Sequence, residues 1–245
     1  MHSVDSGKVY RVEYDTKVLL QLGTAFRAFV RDSAIRIAAT EALRHTLVSG
    51  LVSALTWPMG LLKAGEIIID PPWVLALERA KKAGLVLADV IASHAQGHRP
   101  ISLIGYSTGA LAIHTCLLEL SKRGLYGHVD HAILIGTPVS NQGDTHTHTG
   151  VRRACAGECV NVYSHTHTHI AFLFRVHAMH VRGIAHTHTQ DGVKSVRNLD
   201  VTSLVGGHLE YKEHLPRILH RIHGIIQEME GPSSSSDDRM DWMII

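Results

Sequence analysis

A serine between two glycines has the clearest chemical potential in the chain. Ser107 stands in the pentapeptide Gly105-Tyr106-Ser107-Thr108-Gly109, which matches the GxSxG pattern of a nucleophile elbow. In such an elbow the serine occupies a strained strand-to-helix turn, and the flanking glycines leave room for neighbouring backbone. The Thr108 amide and the helix N-terminus then face the negative charge of a tetrahedral intermediate. The pattern predicts a nucleophilic Ser107 and an oxyanion-binding amide at Thr108; the alternative is an ordinary glycine-rich turn.

Histidine is the base that such a serine needs, because a hydroxyl is a weak nucleophile at neutral pH. The chain has 20 histidines, which weakens any single choice. His208 is the best candidate, since the glycine-rich segment LVGGH at residues 204–208 follows a predicted strand and precedes the last predicted helix. Other histidines have helical or loop settings and are expected at the surface or in packing: His45, His94, His114, His128 and His220.

Apolar runs and helical patterns alternate along the chain and must position these residues. We predict strands over 8–14, 101–104, 132–135, 159–163 and 196–201, and helices over 18–31, 73–95, 110–122 and 211–229. The helix over 73–95 is expected to start at Asp70-Pro71-Pro72. This order predicts an α/β fold, with a mostly parallel sheet flanked by helices, in one domain over residues 1–230.

Charge and cysteine usage narrow the function classes. The 245 residues include 24 basic and 22 acidic side chains, a formal net charge of +2, which gives no broad positive field for binding nucleic acid. The chain has three cysteines, Cys116, Cys155 and Cys159. The last two are four residues apart, but no second pair of cysteines completes a zinc site, so we expect reduced structural thiols. We expect no secretory signal and no cofactor, and a cytosol-facing, reducing location.

Residues 46–62, TLVSGLVSALTWPMGLL, contain no charged side chain. Their length matches about one bilayer crossing if they are helical, although Pro58 and Gly60 would break or kink the helix. Two interpretations stay open: a membrane-inserted or membrane-surface segment, and a buried or lid helix of a soluble fold. Beyond the last helix, Gly231-Pro232 and a run of serines predict a disordered tail over residues 231–245.

Histidine and threonine alternate at residues 145–149, 165–169 and 186–189. On a strand, imidazoles two residues apart share one face and suit zinc, copper or nickel. Functional metal sites rarely repeat one dipeptide at three places, whereas a CA dinucleotide tract encodes alternating His and Thr codons. We therefore favour a low-complexity origin over adventitious metal binding or a true metal centre, and we assign no metal ligand.

Six segments of the chain, in order and spacing, resemble one eukaryotic family. They are IDPPWVLALERAKKAGLVLADVI, RPISLIGYSTGALAIHTCLLEL, ILIGTPVS, CVNVYS, AFLFR and NLDVTSLVGGHLEY, within a match from about Lys8 to about Leu219. The family is the α/β-hydrolase-like family of transmembrane and coiled-coil domain-containing protein four. The resemblance implies an α/β-hydrolase fold, membrane association and an esterase- or lipase-like activity on a membrane lipid or ester, with Ser107 and His208 as nucleophile and base.

Two features depart from the family pattern. Members read YS..DW before FLYR, whereas this chain reads YSHTH before FLFR, so His167 stands where the family has its acid. A histidine supplies no buried negative charge to orient the base, so activity is expected to fall strongly unless another carboxylate serves, Asp200 being the nearest in sequence. The family's first strand and its second oxyanion amide would precede Lys8. We therefore expect a fragment or a shortened isoform that lacks the first strand or strands.

Three functions follow from these residues. The first is a membrane-associated serine hydrolase-like protein, impaired by the replaced acid. The alternative is a non-catalytic membrane or trafficking interaction module of the same fold, which the missing acid and first strand would favour. The third is a histidine-rich metal binder.

Overall fold

A computed structural model describes residues 8–28, 31, 53–139, 145–164, 196–206, 208–230 and 241–245, with backbone alone at 53–71, 145–148, 208, 228–230 and 241–242. These residues form a six-stranded sheet in the order β1-β6-β2-β3-β4-β5, and every neighbouring pair is parallel. The strands are β1 (Val9–Arg11), β2 (Ile101–Tyr106), β3 (Val129–Ile135), β4 (Cys159–Tyr163), β5 (Arg197–Asp200) and β6 (Asp241–Ile244). The predicted α/β class with a mostly parallel sheet is confirmed.

Helices cover both faces of this sheet. They are α1 (residues 16–28), α2 (Ser53–Ala92), α3 (Thr108–Lys122), α4 (Thr145–Arg153) and α5 (Tyr211–Glu230), and a single 3₁₀ turn spans His208–Glu210. A parallel sheet needs such cover because its strands are apolar on both faces.

The alternation of side chains along β3 divides the core into two layers. Ala132 and Leu134 belong to the cluster formed with α2, α3 and α4, whereas Ile133 and Ile135 pack with α5 on the opposite face. Ile113 and Leu117 of α3 are fully buried in the first layer. The α3 helix is therefore fixed against the sheet over most of its length, which holds its N-terminus at the end of β2.

The α2 helix starts earlier than the sequence predicts. The prediction placed the start at Asp70-Pro71-Pro72, but the helix runs through these residues from Ser53. Inside a helix a proline removes an amide donor and its ring crowds the carbonyl four residues earlier, at about 3 kcal/mol, so α2 continues through Pro71 and Pro72 against this local cost. Residues 53–62 of the charge-free segment thus lie in α2, and residues 46–52 lie outside the described part of the chain. No helix in the described part is both long and apolar enough to span a membrane.

Strand β6 corrects the predicted tail. We predicted disorder over 231–245, yet Asp241–Ile244 forms a strand between β1 and β2, and residues 231–240 lie outside the described part. Met243 pairs with Leu103 on one side and Tyr10 on the other, and its side chain is buried. Burial of the Met243 side chain favours this position, which the serine-rich composition before the strand does not indicate.

The first His-Thr repeat does not form the strand on which its histidines would share one face. Residues 145–149 begin helix α4, and on a helix positions two apart do not share a face. The repeats at 165–169 and 186–189 lie outside the described residues. Within the described part, no group of three or more His, Cys, Asp or Glu side chains is arranged to hold a metal ion.

The cysteines lie in the core as free thiols. Cys116, Cys155 and Cys159 are all buried in the layer between α3, α4 and the sheet. The hydrogen bond with Cys159, and then burial, raise the pKa of the Cys155 thiol well above its ordinary value. Burial also raises the pKa of the Cys116 thiol, and a thiol with a raised pKa is a poor nucleophile, so Cys116 and Cys155 act as structural thiols, as the sequence predicts.

Candidate functional site

Ser107 has the strained backbone that a nucleophile elbow requires. It follows β2 and precedes α3, with φ 55° and ψ −121°. A non-glycine residue in such a region costs about 1–3 kcal/mol, so the surroundings must hold it there. The Ser107 amide donates to the Ile135 carbonyl at 2.9 Å, and the Ser107 carbonyl accepts from the Leu111 amide at 3.1 Å. The predicted strand-turn-helix is therefore present, while the role of Ser107 as nucleophile stays a prediction.

The two glycines of the elbow are required by close backbone packing. A Cβ at Gly105 would lie 2.7 Å from the Ala110 nitrogen and 2.8 Å from the Gly109 carbonyl carbon. A Cβ at Gly109 would collide with the carbonyl oxygen of Ile245, the residue after β6. Any side chain at either position would displace backbone, because no flexible group can yield there. These contacts give the physical reason for the GxSxG spacing.

The first turn of α3 supplies amides beside Ser107. Thr108 is buried at the start of this helix, whose first N–H groups have no partner within the helix. The Ser107 side chain makes no capping hydrogen bond to that turn. Amides at a helix N-terminus attract negative charge, which is the chemistry predicted for Thr108. Its role as oxyanion donor stays a prediction.

A cavity of about 630 Å³ opens beside the elbow. It lies within the range of about 300–1,000 Å³ that is usual for small-molecule sites. Its walls come from five parts of the chain: β1 with the loop after it, α1, the part of α2 that begins near Trp73, the elbow, and the end of β6. The lining is mostly apolar and comprises Arg11, Val12, Glu13, Tyr14, Thr16, Leu19, Leu22, Gly23, Phe26, Trp73, Tyr106, Ser107, Thr108, Gly109, Leu209, Ile244 and Ile245.

The apolar wall of this cavity is built where α1 packs on α2. Leu22 and Phe26 of α1 form a buried cluster with Trp73 of α2, which is 2% exposed. Helical spacing of Leu22 and Phe26 puts both on one face of α1. The cavity thus offers an apolar surface at the side chain that is predicted to react.

The segment that holds His208 reaches the same cavity. His208 begins the 3₁₀ turn, and its neighbour Leu209 lines the cavity together with Ser107. The Gly206 amide donates to a Glu210 carboxylate oxygen at 2.8 Å, which closes the loop around this turn. The structure therefore brings the predicted nucleophile and the backbone of the predicted base to one site. The role of His208 as base stays a prediction.

Asp200, the candidate acid, ends β5 and starts the loop toward His208. Its Oδ1 accepts hydrogen bonds from the Thr202 amide at 2.8 Å and the Thr202 hydroxyl at 2.5 Å. The residue is exposed and organises this turn. Ser164, at the end of β4, donates from its hydroxyl to the Val205 carbonyl at 3.1 Å and so ties the same loop to the sheet. His167 lies outside the described residues.

The family assignment follows from comparison with known proteins. The model of a family described as "Protein of unknown function (DUF726)" matches residues 1–224. The chain belongs to this family. No solved structure matches it, so the α/β-hydrolase fold stays a prediction, while the parallel α/β sheet is shown.

Curated relatives of this DUF726 chain come from fungi, animals and plants. "Probable lipase MIL1" of Saccharomyces cerevisiae is 33% identical over 216 residues, covering 88% of this chain and 20% of the relative. "Uncharacterized membrane protein F35D11.3" of Caenorhabditis elegans is 33% identical over 216 residues, covering 87% and 34%. "Transmembrane and coiled-coil domain-containing protein STS1" of Oryza sativa subsp. japonica is 34% identical over 219 residues, covering 89% and 32%. The chain therefore spans a fifth to a third of these relatives.

The DUF726 site contains residues that the sequence analysis did not single out. Tyr14, Trp73 and Ile245 line the cavity from three separate parts of the chain. Trp73 lies in the predicted amphipathic helix, but the sequence carries no signal that pairs it with α1. Ile245 reaches the site only because β6 inserts beside β2. These residues become visible through tertiary structure alone.

The candidate histidines of packing and surface positions that the structure describes lie away from this site. His114 is 5% exposed within α3, and His220 is exposed on α5, as predicted for packing and surface residues. The ring of His94 lies 4.7 Å from that of His98 and 4.9 Å from that of His128, at the end of the sheet opposite the elbow. His45 lies outside the described residues.

Proposed function

We propose that this DUF726 chain is a serine hydrolase of α/β-hydrolase type that cleaves esters of apolar acyl groups. One observation carries the proposal: Ser107 sits in a strained elbow that opens on a mostly apolar cavity of about 630 Å³. An acyl chain placed against Leu22, Phe26 and Trp73 would bring its ester carbonyl to Ser107. The relative named as a probable lipase supports the same class of reaction.

Acyl transfer at this site would proceed in two steps. The Ser107 oxygen attacks the ester carbonyl carbon, its proton passes to His208, and the carbonyl electron pair moves onto the oxygen, which the Thr108 amide stabilises. Collapse of this oxyanion breaks the bond to the alcohol, which leaves with the proton from His208. Water then repeats the sequence on the acyl-serine, releasing the carboxylic acid and restoring Ser107.

The order of the site segments along the sheet supports the α/β-hydrolase type. Ser107 follows β2, the acid position of the family pattern follows β4, and His208 follows β5. That order of serine, acid and histidine is the one used by α/β-hydrolases. Because carboxyl ends of parallel strands meet at one edge, the described segments that begin with Ser107 and lead to His208 lie at the same edge of the sheet.

The proposed site lacks an identified carboxylate that would orient His208. His167 occupies its position in sequence, and the Oδ1 of Asp200 is engaged by Thr202. Without an acid, a serine–histidine pair keeps part of its activity through the oxyanion donors and substrate binding. We therefore propose a slow hydrolase. If Asp200 serves as acid, Asp200→Asn will lower kcat further than Thr202→Val does; equal effects of the two variants would reject that role.

Chain-length selectivity tests the proposed substrate class. A Cβ at Gly23, which lines the cavity from α1, meets no described atom within 4 Å, so a leucine there would project into open space. Gly23→Leu is expected to lower kcat/KM for p-nitrophenyl esters of long acyl chains and to spare the acetate. Gly224→Leu, at an equally open position of α5 outside the cavity lining, should leave the profile unchanged. A flat profile in the wild type, or identical profiles for both variants, would contradict an acyl site here.

Membrane association is a separate part of the proposal. Two relatives bear names of membrane proteins or transmembrane proteins, and residues 46–62 of this chain carry no charge. Deleting 46–62 is expected to move the protein from the membrane pellet to the supernatant. Retention of the deleted protein in the pellet would show that another surface binds the membrane.

The second candidate function is a non-catalytic interaction module. The observation that favours it is His167 at the position of the acid. This candidate predicts no ester hydrolysis above that of Ser107→Ala, together with unchanged membrane binding in that variant. Hydrolysis that depends on both Ser107 and His208 would exclude it.

A further inference from the structure

The cavity beside the elbow has lining residues from both sides of the sheet. On one side, α2 packs on α3, and the cavity is bounded by the apolar wall where α1 meets α2. On the side of α5, the lining residues are Tyr106 and Leu209. Ser107 follows β2 at the edge of the sheet where these two sides meet. The cavity therefore offers a separate surface to each of the two parts of an ester.

Tyr106 belongs to the α5 side of the sheet. Side chains two residues apart on a strand share a face, and Ile104 packs against the cluster formed with α5. The Tyr106 ring accordingly lies beside the Tyr211 ring, with centroids 5.9 Å apart and planes tilted by 58°. Tyr211 is fully buried in that cluster, so it supports one side of the Tyr106 ring. Tyr106 itself is 36% exposed, and part of its surface lines the cavity.

Leu209 adds a second apolar side chain on the α5 side. It lies in the 3₁₀ turn directly after His208, is 44% exposed and lines the same cavity as Tyr106. The loop before this turn is tied to β4 by the hydrogen bond from the Ser164 hydroxyl to the Val205 carbonyl. Tyr106 and Leu209 together form what we call the second wall of the cavity.

The direction of proton transfer assigns the second wall to the alcohol part of an ester. The base that takes the proton of Ser107 must return it to the alcohol oxygen, so the imidazole needs hydrogen-bond reach to that oxygen. His208 lies in the turn that leads into α5, next to Leu209. The alcohol part then lies on the α5 side, while the acyl chain lies against the wall that α1 and α2 build.

We propose that Tyr106 determines the alcohol specificity of this chain and that the preferred alcohol carries an aromatic ring. The inference rests on the proposed function, because it takes Ser107 as nucleophile and His208 as base. Aromatic rings favour tilted or offset contacts with centroids about 4.5–7 Å apart. Tyr106 makes one such contact with Tyr211, and the ring of a bound alcohol makes a second from the cavity. The substrate class is an ester of an apolar acid with an arylmethyl alcohol.

The aromatic residues of the opposite wall favour no ring in the acid part. Phe26 and Trp73 are 6% and 2% exposed, because their side chains pack within the cluster between α1 and α2. Little of either ring is left for a contact with substrate. Tyr106, with more than a third of its surface exposed, presents far more aromatic surface to the cavity that all three line.

Hydrolysis of benzyl hexanoate and cyclohexylmethyl hexanoate by the full chain tests the inference. The two esters have the same acid and alcohols of similar size, and they differ in the aromaticity of the alcohol ring. The measured quantity is the ratio of their kcat/KM values, divided by the ratio of their rates of alkaline hydrolysis without protein. We expect this normalised ratio to be about 2- to 10-fold in favour of the benzyl ester, which is the contribution of one aromatic pair.

Substitutions of Tyr106 separate its ring from its hydroxyl and its bulk. Tyr106→Leu keeps an apolar side chain without the ring and should lower the normalised ratio to about 1, because no aromatic pair forms. Tyr106→Phe keeps the ring and should retain the wild-type ratio. Tyr126→Leu, which removes an exposed tyrosine outside the cavity lining, is the matched control and should also retain it.

Three results would overturn the role of Tyr106. They are a wild-type ratio of about 1, an unchanged ratio in Tyr106→Leu, and loss of the preference in Tyr106→Phe, which would assign it to the hydroxyl. The first result needs no variant, so it decides even if Tyr106→Leu fails to fold. Comparison of Tm with the wild type identifies a variant that is unfolded under the assay conditions.

The same assays distinguish failure of this inference from failure of the proposed function. If the wild type hydrolyses neither ester, the proposed function is wrong and the role of Tyr106 falls with it. If the wild type hydrolyses both esters in a Ser107-dependent reaction and Tyr106→Leu keeps their ratio, only the role of Tyr106 is wrong.

Discussion

Replacing Gly105 by alanine is expected to destabilise the protein through the elbow. The added Cβ would lie 2.7 Å from the Ala110 nitrogen, about 0.8 Å inside an ordinary contact distance of about 3.5 Å. The atoms it meets are backbone of the first turn of α3, a helix buried against the sheet, so they cannot move away cheaply. Forcing one methyl group into such packing costs about 1–3 kcal/mol.

Thermal and urea unfolding measure this effect. A loss of about 1–3 kcal/mol corresponds to a fall in Tm of about 2–12 °C for a chain of this size. Gly224→Ala is the matched control, because its Cβ meets no described atom within 4 Å and alanine favours a helix interior by about 0.5–1 kcal/mol. Unfolding of Gly105→Ala at or above the temperature of Gly224→Ala would show that the elbow accepts the added methyl group.

Three further predictions test the packing and electrostatics around the site. Leu134→Ala, in the buried centre of β3, should cost about 2–5 kcal/mol in urea unfolding, whereas Leu20→Ala at an exposed position should stay within about 0.5 kcal/mol; similar values would contradict the two-layer core. Ser164→Ala removes the hydroxyl that donates to Val205 and should cost about 1–3 kcal/mol, with faster hydrogen exchange in residues 201–206; unchanged exchange would argue against that link. Burial raises the pKa of Tyr211 above its ordinary 10.0, so the unfolded state loses this proton first and stability should fall as pH rises above about 10; Tyr211→Phe should flatten that fall, and an unchanged slope would count against it.

Much of the sheet and the elbow follows from local sequence. The apolar runs of β2, β3 and β4 are bounded by glycine, polar residues or turns, and the GxSxG spacing places Ser107 between a strand and a helix. The α2 start was missed because Asp-Pro-Pro is a typical helix-start signal, whereas in this chain the helix already runs through these residues from Ser53. Strand β6 was missed because Met243 becomes buried only when the strand inserts between β1 and β2.

Part of the candidate site could likewise be predicted from local sequence, and part of it could not. The turn that begins with His208 was predicted from its glycines and its place before the last helix. The cavity wall was not, because Phe26 and Trp73 meet only when α1 packs on α2. Tyr14 has no local signal at all, since it lines the cavity only when β1, β6 and α3 are in place together.

The site of covalent modification by a fluorophosphonate tests the central claim most directly. A probe of this class phosphonylates an activated serine, and the adduct can be located by peptide mass spectrometry of the full chain. We expect one adduct on Ser107, abolished in Ser107→Ala, reduced in His208→Ala and unaffected in Ser93→Ala, an exposed serine just after α2. Absence of an adduct in the wild type, or equal labelling of Ser107→Ala, would contradict it.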